Sequence, residues 1–191
     1  MGLEDQRGAL LEELKEHAFH FGRVTLSSGA VSDYYINCRA VTLSPRGAWL
    51  TANVILDAIQ DLDVQAVGGP TVAADPIAAA VAVESWHRNT PRRAFIVRKD
   101  AKVHGLQRQV EGPIQSGDRV VVVDDVLTTG GSLLQAIETV EAEGMTVVAV
   151  VVLLDRLQGG AERLRERGYV LRSIFTLDDV HDFVESRRHA S

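Results

Sequence analysis

Cysteine is nearly missing from these 191 residues: Cys38 stands alone. A single thiol excludes an internal disulfide and a cysteine-built zinc site, which suits a cytoplasmic protein. Long hydrophobic runs are missing too. No apolar stretch approaches the ~20 residues of a membrane span. The opening segment MGLEDQRGALLEELKEHAF is acidic and amphipathic, so no secretory leader is expected. Gln6 stands where a myristoylation signal requires Ser or Thr. Positive charge is in deficit, with a net charge of −6. Nothing in the overall balance attracts nucleic acid, and an anionic ligand would need a local patch of Lys and Arg. Both G-x-x-x-x-G-K-[ST] and G-x-G-x-x-G are absent, which removes two common phosphate cradles. There is no internal repeat, low-complexity segment or interdomain linker.

What is present is an ordinary globular composition, 46% hydrophobic and 24% charged, long enough for one well-packed domain. Leucines at helical spacing predict an amphipathic helix over 4–20. Segment 21–39 reads as a hairpin turning at Ser28-Gly29. Ser44-Pro45 starts a helix reaching about Asp61, since Ser caps and Pro tolerates the first turn. From there strands and helices alternate: strand DVQAVGGP, helix 73–87, strand RRAFIVR, strand RVVVVDD, helix 132–143, strand MTVVAVVVLLD, helix 160–167 and strand 169–175. Thr176 and Asp179 form a capping box for a last helix. The pattern predicts an α/β fold, a parallel sheet covered on both faces. The valine runs lack polar alternation and belong at its centre. The one long irregular stretch, 99–117, is a functional or mobile loop.

The segment VVVVDDVLTTGGS, 120–132, ends a buried strand in two acids. Ligands of parallel sheets gather at the carboxyl ends of strands, so Asp124 and Asp125 face a site. The loop 126–131 sits at the N-terminus of the next helix, where unpaired N–H groups and the helix dipole favour an anion. Small residues allow close approach, and Thr128, Thr129 and Ser132 add hydroxyl donors. Carboxylates repel phosphate, so they should face ribose hydroxyls, with magnesium as an indirect partner. A simple capped helix would need one acid, not two. Upstream, RKDAKVHG concentrates Arg98, Lys99, Lys102 and His104 in seven residues, the local positive patch that the net charge otherwise lacks.

An apolar strand, two acids and a Thr/Gly-rich loop resemble the phosphoribosyl pyrophosphate (PRPP) motif of type I phosphoribosyltransferases. RKDAKVHG is similar to the catalytic loop of the orotate phosphoribosyltransferase family, R-K-[ED]-x-K-x-H-G. Segment 21–39 resembles that family's N-terminal hood, and LLDRLQGG resembles its strand ending in D-R-x-x-G-G. The resemblance implies a single domain over 1–191: a central parallel sheet flanked by helices, a hood mainly from 1–40 plus C-terminal elements, and a flexible catalytic loop at 99–117. It implies that Asp124 and Asp125 hold the ribose hydroxyls. Val126, Leu127, Thr128, Thr129, Gly130, Gly131 and Ser132 would wrap the 5-phosphate. Arg98, Lys99, Lys102 and His104 would bind PRPP, with Lys102, Arg98 and His104 acting in catalysis. Thr128 and Arg156 would contact orotate, whose carboxylate suits the planar fork of Arg. Mg²⁺ held through PRPP and water, and a homodimer whose loop reaches the partner site, are implied in the same way.

The chain departs from the family pattern at Ser27 and Ala73, where many members carry Lys, and at LQRQVEG, where Arg108 replaces glycine-rich sequence. These departures bear on pyrophosphate contacts outside the loop rather than on the acceptor. A transferase using a purine, or a PRPP-sensing regulator of the same fold, are the competing readings. His17 and His20 lack a third metal ligand, Cys38 reads as a packed side chain, and Trp49 and Trp86 read as packing residues. Tyr34 and Tyr35 either border the acceptor or fill the hairpin.

Overall fold

The computed structural model describes residues 2–25, 31–99 and 109–188. The chain opens with α1 (Leu3–His17) and a hairpin of β1 (Phe19–Thr25) and β2 (Val31–Ile36). The first helix stops short of the predicted residue 20 because Phe19 and His20 already pair with Ile36 and Tyr35. The short helix α2 (Arg39–Thr42) leads into α3 (Pro45–Ala58). Ser44 caps α3 as expected, accepting the Gly47 N–H at 3.0 Å. The alternating part follows: β3 (Ala66–Pro70), α4 (Ala74–His87), β4 (Arg93–Val97), β5 (Val110–Glu111), β6 (Arg119–Leu127), α5 (Gly131–Ala142), β7 (Thr146–Asp155), α6 (Gly160–Glu166) and β8 (Leu171–Thr176). The Thr176–Asp179 capping box forms, but it starts a 3₁₀ turn (Leu177–Val180) before α7 (His181–Arg188).

The six main strands lie in the order β5-β4-β3-β6-β7-β8. All neighbours are parallel except β4 and β5. Burial on both faces explains the unbroken valine runs. Val121 and Val123 of β6, with Val151 and Leu153 of β7, enter a core beneath α1, α3 and α4. Val120 and Val122, with Val150 and Val152, enter a second core beneath α5 and α6. Side chains alternate between faces along a strand, so an all-apolar strand signals two dry faces. Among the described residues, no helix is long and apolar enough to cross a membrane.

Connectivity fixes where a ligand can enter. The chain leaves β3 toward β4 on one side, whereas β6, on the other side of β3, leads on to β7. Loops after β3 and β6 therefore diverge and open a crevice at the carboxyl ends of these strands. Two glycines let the strands approach there. A Cβ on Gly68 would overlap the Phe95 carbonyl oxygen, and one on Gly69 the Val123 carbonyl oxygen.

Three expectations need correction. The 99–117 stretch is not wholly irregular, because Val110–Glu111 forms a strand antiparallel to β4. The strand ending in the acids runs on through Val126 and Leu127, which pair with Leu154 and Asp155. Trp86 is not a packing residue, being 73% exposed, whereas Trp49 is 43% exposed and so partly covered.

Candidate active site

The two acids sit at the crevice. Asp124 is 8% exposed and accepts the backbone N–H of Asp125 at 2.9 Å. Burial, then the negative charge of Asp125, pushes the Asp124 carboxyl up to about 8. Burial also raises Asp125, but the Arg39 guanidinium opposes the shift. Beneath them Cys38 is fully buried, and desolvation plus both acids drive its thiol well above the ordinary range. The packed reading of Cys38 therefore holds, and a reactive thiolate is disfavoured.

After β6, Gly130 adopts φ 74°, a conformation that costs glycine little. This places Gly131 at the start of α5 with no side chain capping the helix. The first N–H groups of α5 are thus left to an outside acceptor. Thr128, Thr129 and Ser132 line a cleft of about 1090 Å³ here. Leu127 does not line it, since its side chain is buried in the core beneath α5. Its carbonyl accepts the Arg156 N–H at 2.9 Å, which sets the end of β7 beside the loop.

Arg156 forms part of the cleft wall. It is 9% exposed, and its Nε is buried without a hydrogen-bond partner among the described residues. A buried unpaired guanidinium donor is costly unless a ligand satisfies it. The guanidinium carbon lies 5.6 Å from the centre of the Tyr34 ring. Tyr34 in turn packs against Phe19 and Phe21, at 6.1 and 6.3 Å between ring centres. Phe183 of α7 closes the same cluster against Phe19 at 5.5 Å. Of the two tyrosines, Tyr34 is thus a core aromatic beneath Arg156, while Tyr35 borders the cleft.

The positive side comes from the end of β4. Arg98 and Lys99 border the large cleft and an adjoining cavity of about 220 Å³, which Asp124, Asp125, Ser132 and Gln135 also line. Lys102 and His104, like Ser27 and Arg108, lie outside the described residues. The turn after β3 completes the wall with Thr71, Val72 and Ala73. Thr71 donates its hydroxyl to Asp75 Oδ2 at 2.7 Å, and its N–H to the Val97 carbonyl at 2.9 Å.

Sequence reasoning missed four residues here: Arg39, Thr71, Asp75 and Gln158. Arg39 and Thr71 line the cleft with Gln158, and Asp75 fixes Thr71. No local signal marks them, because each reaches the site through tertiary placement. The doubled negative charge was the only available hint that a cation such as Arg39 should stand nearby.

Residues 65–184 match the model of the phosphoribosyl transferase domain. An orotate phosphoribosyltransferase of Streptomyces avermitilis is 50% identical over 162 residues, spanning 85% of this chain and 89% of that protein. The chain belongs to the orotate phosphoribosyltransferase family. Solved structures of the family agree. The Mycobacterium tuberculosis H37Rv orotate phosphoribosyltransferase in complex with PRPP superposes with a TM-score of 0.79 at 36% identity, covering 92% of this chain and 99% of that one. The Aeropyrum pernix enzyme gives 0.75 at 33% identity, with coverage of 92% and 99%. An adenine phosphoribosyltransferase from Thermoanaerobacter pseudethanolicus shares the fold alone, with a TM-score of 0.63 at 17% identity.

Proposed function

We propose that this member of the orotate phosphoribosyltransferase family transfers the 5-phosphoribosyl group from PRPP to orotate, giving orotidine 5-phosphate and pyrophosphate in de novo pyrimidine biosynthesis. The observation that carries the reading is the pairing of two features across one cleft: acids beside an uncapped helix start, and a buried Arg156 with an unpaired Nε. The first suits a ribose 5-phosphate and the second a planar carboxylate. Orotate has that carboxylate; uracil and the purines do not.

In this reading, Asp124 and Asp125 hold the ribose 2- and 3-hydroxyls. Backbone N–H groups from Thr128 to Ser132 and the hydroxyls of Thr128, Thr129 and Ser132 seat the 5-phosphate, whereas Val126 and Leu127 are held in the sheet by β7. Arg156 and Thr128 grip orotate. N1 of orotate attacks ribose C1 as pyrophosphate departs, through an oxocarbenium-like transition state. No covalent enzyme intermediate is required. Orientation and electrostatic stabilisation do the work. Arg98, Lys99, Lys102 and His104 offset the charge of the departing pyrophosphate, and Lys102 is the strongest candidate to protonate it.

Among the described residues, no group of three or more His, Cys, Asp or Glu is placed to hold a metal by itself. Two crowded carboxylates beside a diphosphate cleft suit Mg²⁺, which keeps several waters and takes substrate oxygens as ligands. Held through PRPP and water in front of Asp124 and Asp125, it would supply positive charge that offsets the charge of the departing pyrophosphate. The remaining parts of the reading are a single domain with a hood built from 1–40 and the C-terminal elements, a cytoplasmic location, and a homodimer whose loop serves the partner's site.

The test is the ultraviolet absorbance of orotate after addition of PRPP and magnesium. A decrease requiring all components is expected. Turnover of a purine instead would replace orotate as the acceptor, and PRPP binding without turnover on any base would make the protein a sensor.

A further inference from the structure

The β4–β5 hairpin closes the base of segment 100–108. The Arg98 N–H donates to the Gln109 carbonyl at 2.8 Å, and Gln109 Nε2 reaches back to the Lys99 carbonyl at 3.1 Å. On the other strand the Val110 N–H is held by Glu143 Oε1, 3.2 Å away at the end of α5. Inside this frame Glu111 sits opposite Ile96. Its Oε1 accepts from Arg98 Nη1 at 3.0 Å. The two side chains are 35% and 38% exposed. Arg98 at the same time borders both cavities beside the acids.

An ion pair this open to water contributes little to folding, so stability gives a weak reason for it. Arginine, however, has five donors in a rigid plane and much rotamer freedom to lose on binding. One carboxylate occupies one edge of the plane and leaves the rest for a second anion. Fixing a side chain before the ligand arrives removes an ordering cost from binding.

We propose that Glu111 is a positioning residue for Arg98, anchoring one edge of the guanidinium so that its other donors face the pyrophosphate end of the cleft. The identity of that anion rests on the phosphoribosyl-transfer reading; the coupling between the two residues does not. The opposite arrangement, in which Glu111 competes with the ligand for Arg98, predicts the opposite sign.

The experiment titrates the intact protein calorimetrically with magnesium pyrophosphate, alongside orotate and PRPP kinetics. Glu111→Ala weakens pyrophosphate about five- to tenfold, the effect of freeing one rotamer-rich side chain. It raises the KM for PRPP, leaves the KM for orotate unchanged and alters kcat less. Glu111→Gln keeps an acceptor oxygen and recovers most of the affinity, and it reports even if the alanine variant folds poorly. In an Arg98→Ala background, Glu111→Ala costs much less pyrophosphate affinity than in the wild type, because coupled residues are not additive. Tighter binding in either Glu111 variant, or additive losses in the double variant, overturns the proposal. Wild-type protein that binds pyrophosphate without consuming orotate would refute the function above and leave the coupling measurable.

Discussion

Replacing Asp124 by Asn should stabilise the ligand-free protein, by an amount that depends on pH. The carboxyl is buried beside Asp125, which lifts it from an ordinary 3.8 to about 8. A carboxyl raised in the folded state favours the native protein most while it stays protonated. Its effect is neutral below the unfolded value near 4 and becomes increasingly unfavourable until the pH passes the folded value. The rise spans about 4 pH units, and at ~1.4 kcal/mol per unit the ceiling is ~6 kcal/mol. Charge shared with Asp125 and water in the open cleft reduce this, so we expect a gain of about 2 kcal/mol above pH 8, or roughly 4–8 °C in Tm for a chain of this length. The assay is a series of thermal melts from pH 4 to 9, following circular dichroism for both proteins. The curves should coincide near pH 4 and separate as pH rises, while PRPP binding by the variant collapses. A Tm difference that stays constant over this range, or an Asn variant that melts lower at pH 9, would refute the electrostatic reasoning.

Other expectations are more direct. Arg156→Ala should raise the KM for orotate about 10²-fold, the scale of a lost charged hydrogen-bonding partner, while PRPP binding changes little in calorimetry. Lys102→Ala should lower turnover about 10²-fold with an unaltered melting profile, and unchanged turnover would remove the loop from catalysis. Asp125→Asn should weaken PRPP far more than orotate. If the loop serves a partner subunit, mixing the Lys102→Ala and Asp125→Asn proteins should restore part of the activity, since some mixed dimers would then carry one intact site.

The parts of the fold legible in sequence were those written in local pattern. VVVV and VVAVVVLL could be placed centrally because no half-exposed strand tolerates such runs, and the two cores divide their side chains alternately. Ser44-Pro45 and Thr176–Asp179 marked helix starts through chemistry within four residues. The acids were visible for the same reason. What stayed hidden depends on distant partners. A two-residue strand such as Val110–Glu111 has no period to detect, and it exists because β4 offers a free edge. β6 extends past its acids because β7 supplies Leu154 and Asp155 as pairing partners. Trp86 looked like core by residue type, yet it lies on the outer side of α4, where type alone misleads. Arg39 and Asp75 gain meaning only once the crevice brings α2 and α4 to it.

The split between the donor and acceptor halves of the cleft has an engineering consequence. In the proposed reading the groups assigned to the sugar hang from β6 and the start of α5, whereas the wall around Arg156 is backed by Tyr34 and its aromatic neighbours from the hairpin and the last helix. On that reading, selection for a new base can begin at the cleft-facing positions of the hairpin and the tip of β7, before the shared Thr128 is touched. A library there should vary only the positions that face the cleft, such as Tyr35 and Gln158, and keep Phe19, Tyr34 and Ile36, which belong to the core.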